Sequence, residues 1–295
     1  MNVEEGHGKK GRYCGLPDPY GSKKDSKIVL LPVLFDKTTT YGKGTDKGPT
    51  ALIEASRHLE LYDIETDSQV YLEGIYTAPP LKPKTTKQML QTVYRRTKEL
   101  IDQDKFVVTL GGEHSISYAP IRAHAEHYKK ITILQFDAHA DLAEAYEGNP
   151  WSHASAMARV RELEGVEKIV SVGIRSMSHG ELANLNRSTT FFAHEMIRDP
   201  HWVDRVVDQL SGLVYITFDL DAFDPSIMPS TGTPEPGGLS WYDVLKLLRL
   251  VIEKKTLVGF DVVELLPKAT DRAPDFLAAK LIYKILSYQF QTKSK

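Results

Sequence analysis

The chain has 295 residues, with 37 Lys and Arg against 39 Asp and Glu, a formal net charge of −2. Its 41% hydrophobic and 26% charged residues, with 20 Gly, 16 Pro and no triplet repeat, exclude collagen-like and low-complexity classes. The near-neutral balance offers no basic footprint for nucleic acid and no polybasic anchor for a membrane. The single cysteine, Cys14, cannot close an intrachain disulfide, which points to a reducing compartment.

The start, Met1 to Lys10, lacks the apolar h-region of a secretory signal. No apolar run approaches the roughly 20 residues of a membrane-spanning helix. The expected location is the cytoplasm. Residues 1–26 are Gly-, Lys- and Asp-rich and are expected to form an irregular arm, with Cys14 a spectator thiol near a loose terminus. Residues 27–290 show no linker or internal repeat and are expected to form one catalytic domain. The tail Gln291–Lys295 is expected to fray.

Within that domain, short β-branched apolar runs alternate with helix-like stretches. The pattern predicts a strand at Lys27–Phe35, then a helix at Lys87–Gln103 and a strand at Phe106–Leu110. A helix at Tyr118–Tyr128, a strand at Ile131–Phe136, a helix at His153–Leu163 and a strand at Ile169–Gly173 follow. The series closes with a helix at Trp202–Leu210, strands at Leu213–Phe218 and Leu257–Val263 around a helix at Trp241–Glu253, and a helix at Asp275–Gln289. Runs apolar throughout suit strands buried on both faces of a parallel sheet. The alternation predicts βαβ units with helices on both sides, and ligands outside the carboxyl ends of the strands.

Polar clusters fall at those ends. Asp137-Ala138-His139-Ala140-Asp141 follows the run Ile131–Phe136, and alternate residues of extended chain point the same way. Asp137, His139 and Asp141 therefore converge, and two carboxylates with an imidazole form a first shell for a divalent ion. Burying the two anions without a cation would be costly. Asp219 and Asp221 follow Leu213–Phe218 by the same logic, while Asp224-Pro225 reads as turn chemistry. Gly111-Gly112-Glu113-His114-Ser115 follows Phe106–Leu110: the glycines permit close backbone approach, and His114 is a candidate ligand. Glu113 reads as an orienting partner and Ser115 as an N-cap. Four carboxylates and two imidazoles suit two divalent ions rather than one, since a pair can share carboxylates. The oxygen-rich set favours Mn²⁺, with Ni²⁺, Co²⁺ or Zn²⁺ as alternatives.

These three motifs, with Thr-Phe-Asp-Leu-Asp-Ala-Phe-Asp-Pro at 217–225, resemble the metal-binding motifs of the ureohydrolase (arginase/agmatinase) family in order and separation. The similarity runs from about Lys27 to Gln289. The resemblance implies a three-layer α/β/α fold with a mostly parallel eight-stranded sheet, assembled as trimers or hexamers. It implies metal binding by His114, Asp137, His139, Asp141, Asp219 and Asp221, with Asp141 and Asp219 bridging. His153 stands where the family has a proton-shuttling histidine, and Glu264 where a glutamate receives the substrate guanidinium. The sequence departs from the family at Leu266, where Asn is usual, and at Thr217, where Ser is usual.

The chemistry then expected is hydrolysis of a guanidino group to urea and an amine. Glu264 holds the guanidinium, Asp141 aligns the nucleophile and the adduct, and His153 relays a proton to the departing amine. The stretch Thr231–Gly238 resembles the agmatinase form, which favours agmatine, giving putrescine and urea. Guanidinobutyrate, aminopropylagmatine, guanidine and arginine remain open. The loop Leu142–Ser152 is expected to contact the substrate tail, with Glu144 and Glu147 as possible amine attractants. Two rival readings stand beside this one. A binuclear phosphoesterase would need cations beside the motifs, for which Arg175 is the best candidate although a structural salt bridge suits it better. A non-catalytic metal-binding relative would be expected to have lost a ligand, His153 or Glu264.

Overall fold

A computed structural model of the chain describes residues 9–291. The expectations placed on the first eight residues and on 292–295 lie outside the described residues. Eight strands form one sheet in the order β2-β1-β3-β8-β7-β4-β5-β6, and every pairing is parallel. They are β1 (Ile28–Pro32), β2 (Ile75–Thr77), β3 (Phe106–Leu110), β4 (Ile131–Phe136), β5 (Val166–Ile174), β6 (Thr190–Phe192), β7 (Leu213–Asp219) and β8 (Thr256–Val263).

The central strands are buried on both sides because their residues alternate between two cores. Ile28, Leu30, Val108, Leu110, Leu134 and Phe136 enter one core, with α1 (Gly48–Ser56), α6 (Trp202–Gln209), α7 (Trp241–Lys254) and α8 (Ala273–Phe290). Val29, Leu31, Val107, Ile131 and Ile133 enter the opposite cores, beneath α2 (Thr86–Ile101), α3 (Tyr118–Tyr128) and α4 (Ala156–Val160). Full burial of each such side chain contributes roughly 1.5–3 kcal/mol, so both faces demand apolar residues and the strands read as unbroken apolar runs. The result is the three-layer α/β/α architecture.

The six predicted strands are all present. The two unpredicted ones, β2 and β6, are three-residue strands at the two edges, too short for a run to stand out. α1 and the single turn α5 (Ala193–Met196) are likewise unpredicted. The helix expected at His153–Leu163 is a 3-10 turn, His153–Ser155, followed by the short α4.

The described part of the N-terminal arm is irregular but not loose. Tyr13, Cys14 and Leu16 are buried, and Tyr13 donates its hydroxyl hydrogen to the Ala279 carbonyl of α8 at 2.7 Å. Cys14 takes a left-handed φ of 53° and donates its N–H to Ser56 Oγ at 2.8 Å. Burial pushes its thiol well up. The expectation of a loose terminus around Cys14 is therefore corrected: aromatic and aliphatic side chains of the arm find apolar cover against α1 and α8.

Candidate metal centre

Four adjacent central strands, β3, β8, β7 and β4, deliver the polar residues from their carboxyl ends. After β3, the chain must pass within contact of the backbone at Phe35. A Cβ on Gly112 would lie 1.8 Å from the Phe35 carbonyl oxygen, so only glycine fits there. That close passage sets His114 at the head of β3. β4 releases Asp137, His139 and Asp141, β7 ends in Asp219 with Asp221 two residues on, and β8 leads into Glu264. Asp141 and Glu264 both hold left-handed backbone, with φ of 53° and 65°. Strain of this kind is retained where the surroundings fix a side chain.

The six expected metal ligands converge. His114 Nδ1 lies 3.1 Å from Asp137 Oδ2, 3.0 Å from Asp141 Oδ2 and 3.4 Å from Asp219 Oδ2. His139 Nδ1 lies 2.9 Å from Asp221 Oδ2 and 3.8 Å from Asp137 Oδ1. Two groups can each hold an ion: His114, Asp137 and Asp219, and Asp137, His139 and Asp221. Asp137 belongs to both and turns one oxygen to each histidine. Within 4 Å, Asp141 meets a histidine of the cluster only at His114.

The donor set fits divalent cations. Neighbouring ligands at right angles on an ion with bonds of about 2.1 Å sit about 3 Å apart, which is the spacing here. His114 Nδ1 is buried and makes no hydrogen bond of good geometry. No Lys or Arg among the described residues lines the cavity to balance four carboxylates. Without a cation the cluster must hold protons instead. Asp137 is pushed up to about 7 by burial and by Asp141 and Asp221. Burial opposes protonation of His139, but Asp221 and Asp137 carry it up to about 10. Burial likewise opposes protonation of His114, and its three carboxylates override that. Asp219 is pushed well up by burial and by Asp221 and Asp137.

Hydrogen bonds behind the ligands orient them. Thr217 Oγ1 donates to Asp261 Oδ1 at 2.8 Å and accepts from His114 Nε2 at 2.9 Å. Asp221 accepts the Ala138 N–H at 3.0 Å, and Asp219 accepts the Asp221 N–H at 2.9 Å. Asp224 accepts the N–H groups of Ser226, Gly237 and Gly238, the turn chemistry expected of it. Arg175 has no role towards an anion. Its guanidinium donates to the carbonyls of Asp221 at 2.7 Å and Glu235 at 2.8 Å, so its partners are backbone oxygens rather than the carboxylate of a salt bridge.

The cluster opens on a cavity of about 230 Å³ whose walls include His114, His139, Asp141, Asp219, Asp221, His153 and Glu264. Asp137 lies behind these walls, fully buried. Glu264 Oε1 accepts the His114 N–H at 2.6 Å. Burial and the nearby Glu113 push the Glu264 carboxyl well up, so the site gains from a cation placed against it. Ala143 and Tyr146 of the 142–152 loop also line the cavity, with the Tyr146 ring 5.6 Å from that of His153. Glu144 and Glu147 do not line it. Glu144 is exposed and paired with Arg159 and Arg161 at 2.7 and 2.9 Å. Beside the candidate ligands and Glu264, a further acid lines the cavity, Glu181, buried and accepting the N–H groups of Leu142 and Ser178. Its only sequence signal is Ser178-x-x-Glu181, which reads as a helix cap. Leu266 packs its side chain under Gly42, on the loop that forms another wall. Ser115 is not an N-cap, since it lies inside the 3-10 turn His114–Ser117, and its hydroxyl donates to Glu113.

Residues 26–287 match the model of the arginase family. The chain is 34% identical to the N(1)-aminopropylagmatine ureohydrolase of Synechocystis sp., over 93% of this chain and 92% of that protein. It is 32% identical to the agmatinase of Pyrococcus horikoshii, over 89% of this chain and 92% of that one. The crystal structure of agmatine ureohydrolase of Thermoplasma volcanium superposes with a TM-score of 0.85 at 28% identity, covering 95% of this chain and 94% of its own.

Proposed function

The chain belongs to the arginase family, and from that premise we propose that it hydrolyses the guanidino group of an agmatine-type amine, in the first place agmatine to putrescine and urea. The observation that carries this reading is the meeting of three features in one cavity: two carboxylate–histidine groups sharing Asp137, a glutamate against one wall, and a histidine clear of the metal ligands. Arg175, the cation a phosphoesterase reading requires, is committed to backbone carbonyls. His153 and Glu264, whose loss would mark a non-catalytic relative, are both in the wall.

His114, Asp137, Asp141 and Asp219 would hold one ion, and His139, Asp137, Asp219 and Asp221 the other, with Mn²⁺ the metal proposed for this oxygen-rich set. Such ions supply a water-derived nucleophile at neutral pH. The chain's own residues do the rest. Glu264, anchored through Oε1 on the His114 N–H, presents a carboxylate to the planar guanidinium. Asp141 lies at the cavity wall beside His114 and aligns what attacks the guanidinium carbon. His153 gives a proton to the leaving nitrogen as its bond to carbon breaks. Glu181 offers a negative wall to a cationic tail.

A second reading, hydrolysis of N(1)-aminopropylagmatine, is favoured by the name of the Synechocystis relative. The test is urea release by Mn²⁺-loaded protein with agmatine, N(1)-aminopropylagmatine, arginine, guanidinobutyrate and guanidine side by side. Preference for agmatine supports the first reading, and preference for the aminopropyl compound the second. No urea from any, with two ions bound, overturns both. Trimeric or hexameric assembly and a cytoplasmic location belong to the same proposal. No helix of the described residues is long and apolar enough to cross a membrane.

A further inference from the structure

Glu113 follows the tight Gly111-Gly112 turn, yet it belongs to neither metal group and does not line the cavity. It is fully buried. Its partners lie across the fold, on the segment after β1. Oε2 accepts the N–H groups of Lys37 and Thr38, both at 2.6 Å, and Oε1 accepts the Thr38 hydroxyl at 2.7 Å. The Thr38 hydroxyl has one hydrogen, and Glu113 takes it. Towards every other neighbour Thr38 Oγ1 can only accept.

Those neighbours both belong to His153. The His153 backbone N–H donates to Thr38 Oγ1 at 3.0 Å, and His153 Nδ1 lies 3.3 Å from the same oxygen. An oxygen that has given its hydrogen to a carboxylate meets Nδ1 favourably only if Nδ1 carries a proton. Nε2 has no hydrogen-bond partner among the described residues, and the ring lines the cavity. In the neutral imidazole the lone pair is then on Nε2.

We propose that Thr38 is a positioning residue: held by Glu113, it fixes His153 as the Nδ1–H tautomer and makes Nε2 the nitrogen that exchanges the proton. Thr38 itself does not line the cavity, and its hydroxyl reaches a residue of the cavity wall at His153. This rests on the function proposed above for the consequence, though not for the tautomer. As the C–N bond breaks, its electron pair goes to the leaving nitrogen, which takes the proton from Nε2 of the imidazolium. The neutral ring keeps its Nδ1–H and regains a proton at Nε2 from solvent. With the opposite tautomer the lone pair would face Thr38 and the exchange would fail, as in other sites where a buried carboxylate selects the histidine tautomer.

The first experiment needs no mutation at Thr38. Protein with ¹⁵N-labelled histidine is loaded with diamagnetic Zn²⁺, and long-range ¹H–¹⁵N correlation spectra are recorded at alkaline pH. The His153 signals are assigned by their absence from His153→Gln. A protonated Nδ1 and bare Nε2 support the proposal, and a protonated Nε2 overturns it. The second experiment uses kinetics in Mn²⁺. Thr38→Val is expected to lower kcat about 10- to 100-fold at constant KM and metal content, with Thr38→Ser restoring most of it. In a His153→Ala background, Thr38→Val is expected to add no further loss. Wild-type kcat in Thr38→Val, or full additivity with His153→Ala, overturns the proposal. If Thr38→Val fails to fold, the wild-type tautomer decides. Absence of urea from the wild type would overturn the functional reading and leave the tautomer measurement standing.

Discussion

Thr217 Oγ1 lies 2.9 Å from His114 Nε2 and 2.8 Å from Asp261 Oδ1. Its hydrogen goes to the buried carboxylate, so it accepts from His114, and in the unprotonated ring that would bind a metal the lone pair is left on Nδ1, facing three aspartates. Thr217→Val is expected to weaken metal binding about 10- to 100-fold, while Thr217→Ser binds as the wild type does. Calorimetric metal titration reads both. Unchanged affinity in Thr217→Val would show that the hydroxyl does not set the ligand.

Asp137 is shared by the two metal groups, whereas Asp141 approaches only the His114 side. Asp137→Asn is therefore expected to reduce bound metal to one ion per chain or fewer and to bring urea release to background. Asp141→Ala is expected to strip the His114 side and abolish urea release while the His139 side keeps measurable affinity. Elemental analysis after gel filtration distinguishes the two. Equal metal loss in both variants would refute the asymmetry.

Protons and metal ions compete for the cluster. Asp137 and His139 have values raised to about 7 and about 10, above the ordinary values of roughly 4 and 6.5. A raised value means that the folded protein binds the proton more tightly than the unfolded chain does. The stabilisation is full below the unfolded value and is lost as pH rises through the folded one. Asp221 has the opposite sign, being lowered against its burial by His139. Its contribution is present above the ordinary carboxylate value and is lost as pH falls through the folded one. From about pH 6 to about pH 8.5 the metal-free protein should thus lose stability, first as Asp137 gives up its proton near pH 7 and then because His139 keeps its proton in the folded protein but not in the unfolded chain. Metal binding needs deprotonated ligands, so added Mn²⁺ should raise Tm more at the upper pH. A pH-independent Tm increment would contradict the proton-filled cluster.

Glu264→Gln can keep the His114 N–H bond through its amide oxygen but loses the charge that faces a guanidinium. A charge-assisted hydrogen bond contributes about 1.5–3 kcal/mol, so kcat/KM should fall roughly 10- to 150-fold with metal content unchanged. Steady-state kinetics with metal analysis tests this. Loss of metal instead would place Glu264 among the ligands' supports.

Glu181 faces the cavity in place of the loop acids Glu144 and Glu147. Glu181→Gln is expected to reduce kcat/KM for agmatine at least about tenfold relative to guanidinobutyrate, whose tail is anionic. An equal loss on both substrates would reduce Glu181 to a cap for the turn that follows Ser178.

The sequence by itself determined the sheet's inner strands and the six residues that meet as candidate ligands. Inner strands of a parallel sheet are apolar on both faces, and ligands at a strand end recur every second residue, as Asp137, His139 and Asp141 do. Both signals are local and lie along the chain. The edge strands β2 and β6 were not legible, because three residues with one neighbour carry too little pattern. The shared role of Asp137, the inward turn of Glu181, the packing of Tyr13 and Cys14, and the Glu113–Thr38–His153 chain were decided by tertiary structure alone. Each depends on which oxygen or hydroxyl meets a group tens of residues away, and no spacing in the chain encodes that direction. Thr38 is one of three successive threonines, and only the fold places it between Glu113 and His153.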